Sequence, residues 1–439
     1  MNTKLESAKN KINYFIFTIF LLLINFYITS LGLMDDFFYT RLNFFENYKQ
    51  YFDFLSRDLI SGGIRPFLPL QITLNNLGYF LFSYKGYFIL NLLILFLILE
   101  FFYFVFNEIF KLNKYLYYVL FFSWPYSYDL IIHPSLQEKF IILFVTAFIY
   151  AVINKSKNNI IVTLLSLSIP LVKIQGLVFF PLIWSVANSK LNKNNNKQLI
   201  TSAFILSSFL VIGIFFLRPE SYFNQGIQVD RLLIQVLSSP VNLINVGLLT
   251  LVFALGNISK IENLNILNGL IYSNALLIFF MSAYKPIGNY LNSINIFFII
   301  IYILIIYNFL NSYFVSARLS NIINISSFIF FLIIMQTFAI PRFERMNSIK
   351  DVIDFSLDND SQNIFYTCSE GITYLNEQQN KNEFIFVNDL ESLKNKDFLF
   401  LSDPFACNNV EDDILKNCSL ISNNTFKYKN SMEIKKYQC

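Results

Sequence analysis

Residues 159–187 read NIIVTLLSLSIPLVKIQGLVFFPLIWSVA. The run is apolar but interrupted by Pro170, Lys173, Gln175, Gly176 and Pro181. Lysines flank it on both sides: Lys155 and Lys157 before, Lys190, Lys193 and Lys197 after. Positive charge in short loops marks the cytosolic end of a membrane segment. Lysines at both ends therefore predict a segment that enters the membrane and returns. Two full crossings need about 40 residues, so two short helices are expected, with a turn at Lys173 to Gln175. Backbone broken at depth persists only where it is buried in protein or lines a cavity. The competing reading is one long kinked helix, which would reverse the orientation of everything downstream.

The rest of the chain fits a membrane protein. Of 439 residues, 55% are hydrophobic, 18% aromatic and only 14% charged, against about 25% charged in a soluble domain. Mean hydropathy is +0.50. The net charge of +4 comes from basic residues scattered among short loops, which excludes a nucleic-acid surface. The first apolar stretch, Asn13 to Met34, follows Lys4, Lys9 and Lys11 and lacks a small-residue cleavage site. It is expected to be an uncleaved span with a cytosolic N-terminus.

Outward from that span, residues 35–65 form an outer loop, and Pro66 to Ser83 an interfacial helix. Spans follow at Gly86 to Asn107, Tyr115 to Ile132 and Phe140 to Ile153. After the 159–187 hairpin come Leu199 to Leu217, Val241 to Leu255, Leu267 to Tyr284, Leu291 to Leu310 and Asn321 to Ile340. The expected fold is mainly α: a polytopic bundle of about eleven spans over residues 1–340, followed by a small extracytoplasmic α/β domain over 341–439. In that domain Asn363 to Cys368, Glu383 to Asn388 and Asp397 to Asp403 read as strands. Ile372 to Gln378 and Asp389 to Asn395 read as helices. All four cysteines, Cys368, Cys407, Cys418 and Cys439, lie there. An outside location permits disulfides, with Cys407 and Cys418 the short-loop pair; a cytosolic location leaves thiols.

Four stretches carry groups suited to chemistry. In LMDDFFYTR, residues 33–41, Asp35 and Asp36 stand where the first span leaves the membrane, with Arg41 beyond. Adjacent carboxylates raise each other's proton affinity, which suits a general base, and they can also hold a divalent cation. The plainer reading is acidic residues capping a span. In SGGIRP, residues 61–66, a glycine turn presents Arg65, which can grip phosphate bidentately or anchor at headgroups. In HPSLQEK, residues 133–139, Glu138 and Lys139 can face the cavity of Asp35. His133 is the single histidine, so a histidine–cysteine metal site is excluded. In IPLVKIQGL, residues 169–177, a lysine at depth costs roughly 2.5–3.5 kcal/mol on insertion scales. Lys173 therefore needs a partner: a lipid phosphate or a protein carboxylate. Glu100, mid-span, needs a partner too.

In this order the four elements resemble the GT-C class of membrane glycosyltransferases. The nearest likeness is to bacterial families related to protein O-mannosyltransferases and the lipid A aminoarabinose transferase. The likeness rests on Asp35 with Asp36, Gly63 to Pro66, Glu138 with Lys139, and Lys173 with Gln175 and Gly176. Asp-Asp stands where the family often has Asp-Glu, and Gln175 where many members have Glu. The resemblance implies a polyprenyl-phosphate sugar donor and a lipid, glycan or protein acceptor at the outer face of the plasma membrane. Asp35 or Asp36 would be the catalytic base. Arg41, Arg65, Glu138, Lys139, Lys173 and Gln175 would bind substrate. A divalent cation, Mg or Mn, would fall to Asp35, Asp36 and Glu138. Two rivals remain. An O-antigen polymerase or ligase favours arginine and histidine in a large mid-chain outer loop, whereas the largest outer loop here is the first and is acidic. A transporter or flippase predicts internal repeats and charges near mid-membrane.

Overall fold

In a computed structural model the described residues are 11–27, 68–125, 127–132, 137–154, 159–189, 192, 197–216, 240–258, 263–283, 288–313, 317–341, 343 and five strands between 365 and 438. The helices are α1 Ile12–Tyr27, α2 Leu68–Phe110, α3 Lys114–Phe122, α4 Ser127–Ile132, α5 Glu138–Ile153 and α6 Asn159–Val172. A 3-10 helix, Ile174–Phe179, then leads into α7 Phe180–Ala187. After it come α8 Lys197–Phe216, α9 Pro240–Ile258, α10 Leu264–Ala283, α11 Gly288–Tyr313 and α12 Ala317–Ile334, the last widening into a π-turn over Met335–Ala339. Among the described residues, three stretches are long and apolar enough to cross a membrane: Lys85–Phe110, Ser293–Asn311 and Leu319–Ala339. Several helices are shorter but equally apolar, among them Ile12–Tyr27, Asn159–Val172 and Leu264–Phe280.

The polarity pattern is compatible with a protein in lipid. Phe26, Leu206 and Phe209 are exposed, at 76%, 65% and 69%, while Asn91, Glu138, Lys139, Asn245, Asn274 and Asn295 are fully buried. Lipid tails accept apolar side chains, so packing and polar bonding hold such helices together. Buried tyrosines supply part of that bonding: Tyr117 donates to the Leu99 carbonyl and Tyr302 to the Leu270 carbonyl, each at 3.1 Å.

Two glycines mark sharp bends. Gly78 and Gly86 are separated by eight residues, about 12 Å along a straight helix. A Cβ on Gly78 would nevertheless overlap the Gly86 carbonyl, so α2 bends tightly between them. The apolar span begins at Lys85, just beyond the bend. The second is Gly176, whose added Cβ would overlap the Ile169 carbonyl at the end of α6.

Side-chain pairs fix the helix directions. α1 runs antiparallel to α2, because Asn13 meets Glu100 and Lys85 meets the Asn25 carbonyl. α5 runs with α2: Lys139 meets Asn91, and Tyr150 meets Phe101 and Phe104. α11 also runs with α2, pairing Phe297 with Phe102 and Asn308 with the Phe110 carbonyl. α10 opposes α11, and α7 opposes α10 through Leu182 with Ser273 and Ser185 against Gly269. α6 opposes α5, since Lys173 beyond the end of α6 reaches Glu138 at the start of α5. Helices α6 and α7 therefore run in opposite directions on either side of Lys173. α12 runs with α1, through Phe15 with Phe328 and Phe20 with Phe343. Its end thus lies at the Lys173 end of the bundle.

One apolar stretch departs from the single span expected over Tyr115 to Ile132. It is two helices, α3 and α4, separated at Ser123 to Pro125. Pro125 lacks an N–H and its ring conflicts with a helical carbonyl four residues back. The carbonyls at the break find other partners: that of Phe121 accepts the Trp124 N–H at 3.2 Å, and that of Phe122 accepts the Tyr128 hydroxyl.

Beyond the helices, β1 Phe365–Thr367, β2 Phe384–Phe386, β3 Asp397–Ser402, β4 Ser419–Thr425 and β5 Glu433–Gln438 form one sheet in the order β2-β1-β3-β5-β4. β1 is parallel to β2 and β3, and β5 is antiparallel to β3 and β4. β1 to β3 occupy the three apolar runs read as strands. The two expected helices and the four cysteines lie outside the described residues.

Candidate functional site

The polar centre of the bundle is built where α5 begins. Glu138 occupies the first turn of α5, where the helix dipole favours a negative charge. Its carboxylate is fully buried, and Oε1 receives Lys173 Nζ at 2.6 Å. The Lys173 side chain keeps 15% exposure. Lys173 itself is extended, with φ −164° and ψ 150°, between α6 and the 3-10 helix. Pro170 sits in the last turn of α6, and the Gly176 N–H turns back to the Lys173 carbonyl at 2.8 Å. Proline, the extended lysine and glycine together break the helix and place the ammonium beside the start of α5. Of the two partners the sequence offered Lys173, the structure supplies a protein carboxylate.

Lys139 follows Glu138 and is equally buried. Its ammonium donates to Asn91 Oδ1. Asn91 is locked from the other side, because its Nδ2 donates to the Leu130 and Ile131 carbonyls at 2.9 Å each. Those carbonyls belong to the last turn of α4, where helices leave acceptors unsatisfied. One asparagine thus ties α2 to α4 and orients Lys139.

Among the described residues, this end holds the Lys173–Glu138 ion pair, with Lys139 next in the chain bonded to Asn91. It also holds buried polar atoms without partners: Glu138 Oε2, both amide atoms of Gln137, and Gln175 Oε1. Each such atom costs about 1–3 kcal/mol of desolvation if nothing satisfies it.

Of the expected site residues, the structure brings Glu138 and Lys173 into contact, with Lys139 next in chain. Gln175 lies two residues beyond Lys173, on the 3-10 helix that packs against α5. Asp35, Asp36, Arg41, Arg65 and His133 lie outside the described residues. No group of three or more metal-ligating side chains occurs among the described residues. Glu138 does not fit a metal ligand, because an ammonium already sits on Oε1 and a second cation would meet its repulsion. Sequence reasoning missed Asn91 and Gln137. The signal for Asn91 was present, as a lone carboxamide in the apolar run 88–99.

Two further polar clusters occur. At the opposite end of α2, Glu100 pairs with Lys114 at 3.1 Å and receives the Asn13 amide. Between α9, α10 and α11, Asn245 bonds Asn274 and Asn295.

No family model matches the chain, and no curated protein matches it.

Proposed function

We propose that the chain is a GT-C-type glycosyltransferase that moves a sugar from a polyprenyl-phosphate donor to a lipid, glycan or protein acceptor. In this reading the bundle has about eleven spans in the plasma membrane. The Lys173 end faces outward, and the C-terminal strands belong to an extracytoplasmic α/β domain. The observation that carries the reading is the broken helix that delivers Lys173 to Glu138 beside Lys139. A helix interrupted inside a membrane protein to seat a recessed ammonium suits an anionic lipid headgroup.

The chemistry follows from the groups assigned. Asp35 or Asp36 takes the proton from an acceptor hydroxyl. The hydroxyl oxygen attacks the anomeric carbon, and the bond from that carbon to the phosphate oxygen breaks. The electron pair stays on the leaving polyprenyl phosphate. Lys139, Lys173 and Arg65 stabilise the developing phosphate charge, and Arg41 contributes at the acceptor side. Glu138 keeps Lys173 oriented between turnovers.

A transporter or flippase for a similar lipid is the second reading. It is favoured by the buried Asn245–Asn274–Asn295 network, which joins three helices by side-chain polar bonds. The two readings separate in detergent, where no membrane remains to cross. Purified wild-type chain should still transfer sugar to acceptor there, and Asp35→Asn or Asp36→Asn should abolish transfer in at least one case. Full transfer by both single variants and by the double variant would remove the acidic pair from the reaction.

A further inference from the structure

Gln137 is 3% exposed, Gln175 is 6% exposed and Glu138 is fully buried. Their unpartnered atoms are three acceptors and one donor: Gln137 Oε1, Gln175 Oε1, Glu138 Oε2 and Gln137 Nε2. Buried polar groups are ordinarily hydrogen-bonded; unpartnered atoms also occur elsewhere, at Asn242 and Asn324 among others, but those of Gln137, Glu138 and Gln175 fall within two residues in the chain of one ion pair. The balance of donors and acceptors limits which ligand. A phosphate oxygen only accepts, and three acceptor atoms would repel it. A hydroxyl both donates and accepts. Several hydroxyls on a rigid ring can therefore satisfy all four atoms.

The chain places these groups together. Gln137 precedes Glu138 at the head of α5. Gln175 sits two residues past Lys173, whose ammonium is 2.6 Å from Glu138. The 3-10 helix carrying Gln175 packs on α5. Both amides thus lie within two residues in the chain of the Glu138–Lys173 pair, one on each side of it.

We propose that Gln137, Gln175 and Glu138 Oε2 form a hydroxyl-binding subsite that takes the sugar ring of the donor, adjoining the phosphate-binding lysines. This rests on the glycosyltransferase reading and adds to it the residues that read the sugar. Gln137 and Gln175 are specificity-determining, and neither takes part in bond breaking.

The test uses the full chain in lipid nanodiscs with two sets of probes: bare polyprenyl phosphate, and the same lipid phosphate carrying a hexose or a pentose. Wild type should bind at least one sugar-bearing form more tightly than the bare lipid. Gln137→Met and Gln175→Met preserve length and remove the amide. Each should lose roughly five- to tenfold in affinity for that sugar-bearing form, one hydrogen bond's worth, with bare-lipid affinity unchanged. Thermal stability should hold or rise, since an unpaired buried amide is removed. Gln175→Glu keeps the acceptor oxygen and should retain the preference for sugar. Equal affinity of wild type for bare and sugar-bearing lipids overturns the subsite while leaving the phosphate site standing. So does an unchanged sugar preference in both Met variants, which would assign these atoms to buried water. Absence of bare-lipid binding overturns the glycosyltransferase reading and the subsite with it.

Discussion

Among the described residues, two carboxylate–lysine pairs stand at opposite ends of the same bundle, and they differ in almost everything except composition. Glu100 and Lys114 are fourteen residues apart, joined through the short turn between α2 and α3, and keep 36% and 24% side-chain exposure. Glu100 lies level with the first residues of α1 and α3, since it meets both Asn13 and Lys114. This is a tie at a helix boundary. Glu138 is fully buried and Lys173 mostly so; the two are separated by thirty-five residues and meet where α6 is broken. A second lysine and unsatisfied amide atoms accompany them. A buried pair is weak evidence for stability, because desolvation offsets the attraction. In the proposed function the second pair serves a ligand rather than the fold.

The all-or-none test of the comparison concerns which end faces outside. Because α12 ends at the Lys173 end, a reporter fused after Cys439 that works only outside the cytosol should be active. Activity of a cytosol-only reporter at that position would put the Lys173 end inside and remove the outer-face donor site.

Within the bundle, the largest loss is expected from Glu138→Leu. It removes the carboxylate from the ion pair with Lys173, at a cost of about 3–5 kcal/mol. Thermal unfolding of the purified chain in detergent reads this as a lowered Tm. A variant as stable as wild type would mean that Glu138 is not the counter-charge.

Gly176→Ala should come next. Its Cβ would overlap the Ile169 backbone carbonyl, which cannot swing aside as a side chain can. The expected destabilisation is about 1–3 kcal/mol, with donor affinity falling as Lys173 shifts. An unaffected variant would show that the helix break does not depend on this close approach.

Lys114→Ala should have the smallest effect, under about 1 kcal/mol, because the pair sits half-exposed at a boundary. Donor affinity should be unchanged. A loss of donor binding in this variant would erase the functional distinction between the two ends.

Much of the bundle was legible because apolar stretches bounded by lysines announce themselves. The expected span at Phe140 to Ile153 and the helix Glu138–Ile153 differ by two residues at one end. The break at Ser123 to Pro125 was signalled by Pro125, but an apolar run on both sides hid it. The site was legible where ionisable residues stood inside apolar sequence, as Glu138, Lys139 and Lys173 do. Asn91 and Gln137 were harder, because an uncharged amide becomes significant only when its partners, or their absence, are known. β4 and β5 escaped for a related reason. SLISNNT and EIKKYQ have little apolar content to mark a strand, and their pairing comes from neighbours distant in sequence.

The central claim is that a broken helix presents Lys173 to a lipid phosphate, and it is tested most directly by donor binding to the Lys173→Ala chain. With polyprenyl phosphate titrated into nanodiscs, wild type should bind, and Lys173→Ala should bind more weakly by about 1.5–3 kcal/mol, the range for a hydrogen bond to a charged group. Equal affinity of the two chains would contradict it and leave the Lys173–Glu138 pair as an internal tie like that of Lys114 and Glu100.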